Sequence, residues 1–523
     1  MNDRSAATAG IALGHLIHNA LAGHGHGDAV AFVLGQRRWS YREVARHVYQ
    51  LARTLQARGL GPGDGMAILL PNRPEVFFIQ AAAWVIGARV TALNTMAGPE
   101  DLRHVLADAE IRLLVHDAAL TDLARGAAAA AGCTLVAPLA SGTLDDLLTQ
   151  SASVSDTPFT GTASEADVAR IAYTGGTTGK PKGVILPHRS MVQQALLMLA
   201  FYQWPTTVRM LLATPLSHAA GSLVLPTLLR GGTVHLLARF DPDEFVQTVR
   251  RDQITTTWLM PTMIGALLQR PTCTPAEMPS LATAIYGAAP IAPARLAEAL
   301  DRIGPVFMQH FGQTEAPNTI CTLRKEDHDA VLHPDRLASC GRPVPGNQVA
   351  LLDEHGRAVA EGATGELCVR GRLVMDGYWK RPDESARTLA GGWLHTGDVA
   401  RRDAHGYYYI VDRIKDMIIS GGFNVFPREV EDALASHPAV AACAVIGVPD
   451  PVWGEAVKAF VVPRPGQQPA PEELLRHVRD RKGAVATPKS IDFRADLPTT
   501  AIGRIDRKAL RAPYWAGRAD GVR

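Results

Sequence analysis

Several features are scarce in this sequence, and each scarcity removes a class of protein. Only six cysteines occur in 523 residues (Cys133, Cys273, Cys321, Cys340, Cys368 and Cys443), scattered and without a C-x-x-C pair. That spacing suits neither a disulfide scaffold nor a zinc knuckle, and it fits a reducing cytosol. An excess of one charge is missing too. The 53 Lys and Arg stand against 51 Asp and Glu, a net +2, which removes the electrostatic argument for a nucleic-acid binder. No stretch approaches the length of an apolar membrane span, and Asp3, Arg4, His15, His18 and Asn19 interrupt the N-terminal segment. Neither a membrane span nor an export signal is therefore expected. The His24-Gly-His26 pair lacks further ligands and reads as a solvated loop.

What is present points to a folded chain of two or three domains: 47% apolar and 20% charged residues over this length. From about residue 65 to 312, short β-branched runs such as 66–70, 111–115, 169–173 and 283–286 alternate with helical stretches such as 75–86. That alternation predicts parallel sheets covered by helices, an α/β fold. From 340 to 411, short strands separated by Asp-Glu-His-Gly and Asp-Ala-His-Gly turns predict a small β-rich subdomain. The last hundred residues combine two helices (428–436, 472–482) with strands at 441–448 and 457–462, a smaller α+β domain.

The most informative segment is Tyr173-Thr-Gly-Gly-Thr-Thr-Gly-Lys-Pro-Lys-Gly183, directly after a predicted strand. Four glycines and three threonines supply free N–H groups and hydroxyls, the material of a phosphate cradle. It is not a Walker A loop, because Pro181 follows Gly179-Lys180 where Ser or Thr should stand.

This loop resembles the signature of the AMP-forming acyl/aryl-CoA synthetase, luciferase and peptide-synthetase adenylation superfamily. The resemblance continues in order through Pro215-Leu-Ser-His-Ala-Ala-Gly221, Tyr286-Gly-Ala-Ala-Pro290, Phe311-Gly-Gln-Thr-Glu315, Trp393-Leu-His-Thr-Gly-Asp398, Val411-Asp-Arg-Ile-Lys-Asp416, Gly421-Gly-Phe-Asn-Val-Phe-Pro427 and Leu497-Pro-Thr-Thr-Ala-Ile-Gly-Arg-Ile-Asp-Arg507. It implies a large domain over 1–411, a hinge over 412–415 containing Lys415, and a mobile C-terminal cap over 416–523. It also implies ATP or AMP, CoA and Mg²⁺ as cofactors and a small carboxylic acid as substrate. In that reading Thr174, Gly175, Gly176, Thr177, Thr178, Gly179 and Lys182 hold phosphates, and Thr174 and Glu315 border Mg²⁺, which prefers hard oxygen ligands. Gly287, Ala288, Ala289, Phe311, Gly312, Gln313 and Thr314 surround the adenine, with Phe311 stacking in place of the usual Tyr. Asp398 and Arg413 take the ribose. His218 borders the acyl carboxylate, with Ala219, Gly221 and Tyr286 beside the acyl group, and Gly421 and Gly422 let the pantetheine thiol pass. Small residues around the acyl group favour a bulky aliphatic or alicyclic acid.

One departure from the pattern bears on mechanism. The family's last motif ends in a lysine that bridges carboxylate and α-phosphate, and this chain has Arg504 there, with Thr499 at the earlier lysine and Gly175 where Ser is usual. A planar guanidinium is not a point-charge ammonium, and losing one transition-state donor slows a step by about 10²–10³-fold. The expectation is a weak or lost adenylation half-reaction, with thioesterification of a supplied acyl adenylate retained and a separate adenylating ligase as functional partner. Two readings stay open beside it: a fully competent two-step ligase in which Arg504 or Lys508 does the work, and an adenylation domain loading a carrier protein.

Overall fold

The computed structural model describes residues 10–23, 25–143, 146–174, 181–413, 416–420, 423–500 and 504–515. Two large sheets face each other in the N-terminal part. At the centre of the first, parallel strands Thr233–Leu236, Arg209–Leu212, Thr256–Leu259, Thr283–Tyr286 and Phe307–Gln313 lie side by side. The second is built on parallel strands Val168–Thr174, Arg89–Ala92, Gly65–Leu69, Ile111–His116 and Leu135–Pro138. Antiparallel strands lie toward the rims: Arg37–Ser40 at one edge of the first sheet and Ala316–Leu323 near the other, and Lys182–Pro187 near one edge of the second. The parallel expectation thus holds for the sheet centres and gives way to hairpins at the rims, where no crossover helix is needed.

Period-two alternation sorts the side chains. Met66, Ile68 and Val90 of one sheet and Met210, Leu212, Trp258, Ile285 and Met308 of the other share one buried cluster between the sheets. Their neighbours Leu211, Leu259, Ala284, Tyr286 and Phe307 face outward into a second cluster under the covering helices. Helix Tyr41–Ala57 begins at a capping box: the Ser40 hydroxyl accepts from the Glu43 backbone N–H, and a Glu43 carboxylate oxygen accepts from the Ser40 N–H at 2.7 Å.

The β-rich subdomain is a four-stranded antiparallel sheet of Asn347–Leu352, Thr364–Gly371, Leu394–Arg402 and Tyr408–Arg413. Its apolar face packs on Val184, Leu186 and Ile320 of the large sheets. The next described strand, Ile418–Ser420, belongs to a separate C-terminal sheet dominated by the hairpin Val440–Asp450 and Gly454–Pro463, flanked by helices Pro427–Ala435 and Pro471–Ala486. That module is docked. Arg295 donates to the Ala441 carbonyl at 2.7 Å, and Arg464 pairs with Glu298 at 3.1 Å. All six cysteines are free and buried. Among the described residues no helix is long and apolar enough to cross a membrane.

Candidate active site

The phosphate-loop residues Gly175, Gly176, Thr177, Thr178 and Gly179 lie outside the described residues, as do Lys180, Lys415, Gly421 and Gly422. What is described is their frame. Thr174 ends one strand and Lys182 begins its antiparallel partner, with the glycine-rich residues between them in sequence. Lys182 pairs with Glu384 and lies 5.4 Å from the centre of the Tyr378 ring. The Tyr378 hydroxyl in turn donates to Glu315 at 2.8 Å.

Asp398 and Arg413 sit opposite each other on adjacent strands, and Arg413 Nε donates to Asp398 Oδ1 at 3.1 Å. Asp398 is buried, and its charge is the main reason the Arg413 guanidinium is held even more firmly cationic than usual. Arg504 reaches this pair from the C-terminal module. Burial, then repulsion from Arg413, lower its pKa, with partial relief from Asp398. Its buried Nε has no hydrogen-bond partner among the described residues.

His218 also feels the charge of Arg504. Burial, Arg170 and Arg504 together push the imidazole down to about 4, so it is neutral at pH 7. It shares a 2.8 Å hydrogen bond with the Ser217 hydroxyl, and Arg170 donates to the Ser217 carbonyl at 2.5 Å. Burial lowers Arg170 itself to about 10, and its Nε also lacks a partner among the described residues. Two half-buried arginines, each with an Nε unmatched among the described residues, thus bring positive charge to bear on a neutral histidine.

The surrounding turns are tight. A Cβ on Gly221 would lie 1.8 Å from the Leu216 carbonyl oxygen, and one on Gly312 would lie 2.3 Å from the Asn318 nitrogen. The Asn318 amide donates to the Ser222 hydroxyl at 2.7 Å, tying the turn Ala219–Leu223 to the one formed by Gly312, Gln313, Thr314 and Glu315. Ala219 and Ala288 pack on the inter-sheet cluster, and Ala288 takes a left-handed φ of 67° before Ala289. Phe311 is half-buried against the β-rich subdomain. Gln313 and Glu315 open onto a cavity of about 280 Å³ shared with Glu366, Tyr378, His395 and Gly397.

One expected substrate contact is corrected. Tyr286 is fully buried on the outward face of its strand, its hydroxyl 2.9 Å from His328 Nε2. Alternation turns Ile285, not Tyr286, toward the inter-sheet space that Ala219 and Ala288 border. Sequence reasoning also missed Arg170, Glu366 and His310. Arg170 had a signal, a cation in the middle of an apolar strand. His310 is clamped between the Tyr202 hydroxyl (2.6 Å) and the Trp258 indole N–H (3.1 Å), and no local pattern announces that meeting.

The two-part α/β architecture is that of the adenylate-forming enzymes. Residues 20–379 match the AMP-binding enzyme model and residues 429–504 the AMP-binding enzyme C-terminal domain model. The chain belongs to the AMP-binding enzyme family, within the AMP-forming acyl-CoA ligase superfamily. It is 44% identical to a medium/long-chain-fatty-acid–CoA ligase of Mycobacterium tuberculosis, covering 97% of this chain and 91% of that one. It is 40% identical to a feruloyl-CoA synthase of an Amycolatopsis species, covering 91% and 94%. Among solved structures it resembles ATP-bound MatB from Rhodopseudomonas palustris, with a TM-score of 0.89, 28% identity, and coverage of 96% and 99%.

Proposed function

We propose that the protein joins an apolar carboxylic acid to CoA through an acyl adenylate, with adenylation the slower half. The carboxylate oxygen attacks the α-phosphorus of ATP and pyrophosphate leaves. The CoA sulfur then attacks the acyl carbonyl carbon, AMP leaves, and the thiol proton passes to solvent. The observation that carries this reading is Arg504, half-buried within electrostatic reach of Asp398, Arg413 and His218, with its Nε unmatched among the described residues. Its charge screens the repulsion between the two anions that must meet, a positioning and electrostatic task. Asp398 accepts from the ribose hydroxyls and Arg413 fixes that carboxylate. His218, neutral, borders the acyl carboxylate without adding a competing charge. The Glu315 carboxylate opens on the cavity it shares with Tyr378 and offers the hard oxygen that Mg²⁺ takes alongside substrate phosphates; when bound, that ion neutralises phosphate charge. Thr174 completes this proposed ion site.

Adenylation is slow because a guanidinium occupies a lysine's position, and Gly175 removes a hydroxyl from the phosphate loop. Thioesterification uses neither feature. For it the C-terminal module swings about 412–415, Lys415 included, and Gly421 and Gly422 line the thiol's path. A separate ligase then supplies adenylate. The acid is bulky and aliphatic or alicyclic, a reading that rests on the small side chains of Ala219 and Ala288 at the border of the apolar inter-sheet cluster. The relatives named for fatty-acid and feruloyl substrates support an apolar acid. A second reading, full two-step competence, is favoured by the seating of Arg504 within the site.

Pyrophosphate exchange with a panel of such acids, run beside CoA acylation from pre-made adenylates, separates these readings. Slow exchange that rises in Arg504→Lys, with ready acylation from the adenylate, supports the first. Brisk exchange by the native protein, unaltered in Arg504→Lys, establishes the second. Exchange and acylation both absent at every acid would overturn the ligase reading.

A further inference from the structure

We propose that Glu366, Cys368 and His395 form a second cation site, for a thiophilic divalent ion of the Zn²⁺ class, in the wall of the cavity that contains Glu315. The backbone builds it. Cys368 pairs directly across the sheet from His395, while Glu366 pairs with Val399, so two residues of one strand span four of the other. The excess is taken up as a bulge, Thr396-Gly397-Asp398, which brings His395 beside both Glu366 and Cys368. Glu366 and Cys368 share a face by strand alternation.

The three donor atoms lie within 4.8 Å of one another, the one such cluster of His, Cys, Asp or Glu among the described residues. Cys368 Sγ is 3.5 Å and Glu366 Oε2 is 2.7 Å from His395 Nδ1. Ligands about 2.0–2.3 Å from a tetrahedral zinc stand roughly 3.5 Å apart, so the Cys–His spacing already fits and Glu366 needs only a small rotation. Cys368 is fully buried, whereas Glu366 and His395 line the cavity and leave a fourth position open to water. A thiol, an imidazole and one carboxylate suit a borderline ion and reject Mg²⁺, which prefers oxygen alone. On binding, the Cys368 proton leaves to solvent, His395 ligates through Nδ1 with its proton on Nε2, and Glu366 exchanges its bond to His395 for one to the ion. Glu366 Oε1 keeps its 2.8 Å bond from the Gly397 N–H, so the ion clasps the bulge that presents Asp398.

The probe is Co²⁺, titrated into the full chain in buffer containing Mg²⁺. The expected result is a near-ultraviolet thiolate-to-cobalt charge-transfer band that saturates at one equivalent and is displaced by Zn²⁺. Cys368→Ser and Cys368→Ala should abolish the band, and His395→Asn and Glu366→Gln should weaken Co²⁺ binding by about tenfold or more. Zn²⁺ should raise the melting temperature of the native chain and not of the Cys368 variants. No band in the native chain, or a band that survives in either Cys368 variant, overturns the proposal. If both Cys368 variants fail to fold, unchanged binding in His395→Asn and Glu366→Gln overturns it equally.

Discussion

An arginine carries the same charge as a lysine in a different shape, and the consequences of Arg504 follow from that difference. Replacing it with alanine removes the cation that faces His218 and Asp398, so pyrophosphate exchange should fall a further 10²-fold or so, the loss of one preorganised donor. An unchanged exchange rate would show that another cation does this work. Gly287 gives a second test at the same scale. A Cβ there would lie 2.4 Å from His310 Cδ2 and 2.5 Å from the His310 carbonyl oxygen. Gly287→Ala should therefore destabilise by about 1–3 kcal/mol, as overpacking does, with a lower melting temperature. Adding His310→Ala should recover only part of this, because the backbone oxygen remains. Full recovery would mean that the imidazole alone sets the limit.

Single elements place the reactive groups, and the bulge that carries Asp398 depends on a residue from the neighbouring strand. Glu366 accepts from the Gly397 N–H at 2.8 Å, Gly397 takes a φ of 72°, and the Thr396 hydroxyl donates to the Leu367 carbonyl. Glu366→Ala leaves the Gly397 N–H without its charged acceptor. An interaction of that kind contributes about 1.5–3 kcal/mol, so KM for ATP should rise about tenfold or more with kcat changed less, and Glu366→Gln should recover part of the loss. Steady-state kinetics with ATP varied decides it; a fall in kcat at unchanged KM would remove the positioning role. The elements themselves were legible in the sequence. The runs 66–70, 111–115 and 283–286 became strands Gly65–Leu69, Ile111–His116 and Thr283–Tyr286 because alternation and β-branching act locally. Which face a strand buries is not local, which is why Tyr286 was assigned to substrate and lies in the opposite core. The Arg170–Ser217 contact and the Tyr202–His310–Trp258 set join segments 47 to 108 residues apart, and no spacing rule reaches that far.

At the scale of the whole molecule, the large domain and the C-terminal module meet at Asp412. Its Oδ2 accepts from the Arg428 N–H of the module at 3.0 Å and its Oδ1 from the Arg413 N–H at 2.7 Å. Burial nevertheless dominates and pushes the carboxyl up to about 6, against opposing contributions from Arg507 and these two N–H groups and with the nearby Glu431 adding to it. A raised acid binds its proton more tightly in the folded, docked state than in the unfolded chain. Its contribution to stability is therefore greatest at acidic pH, declines as pH rises from near 4 through about 6, and is constant above that. A shift of two units corresponds to roughly 3 kcal/mol. Asp432, pushed to about 6 by burial within the module, follows the same sign and is untouched by a change at 412. The buried histidines oppose both: His218, His235 and His328 are each held near 4, so the stability they contribute above their ordinary pKa is lost as pH falls. Total stability consequently mixes two trends, and the informative quantity is the difference between the native chain and Asp412→Asn. That variant should gain on the native protein by up to roughly 3 kcal/mol between about pH 4 and pH 7, read from urea unfolding at matched ionic strength. The same variant should resist protease cleavage near 412–415 relatively better at neutral than at acidic pH. A difference that stays flat across that range would mean that Asp412 is solvated when the two domains are docked.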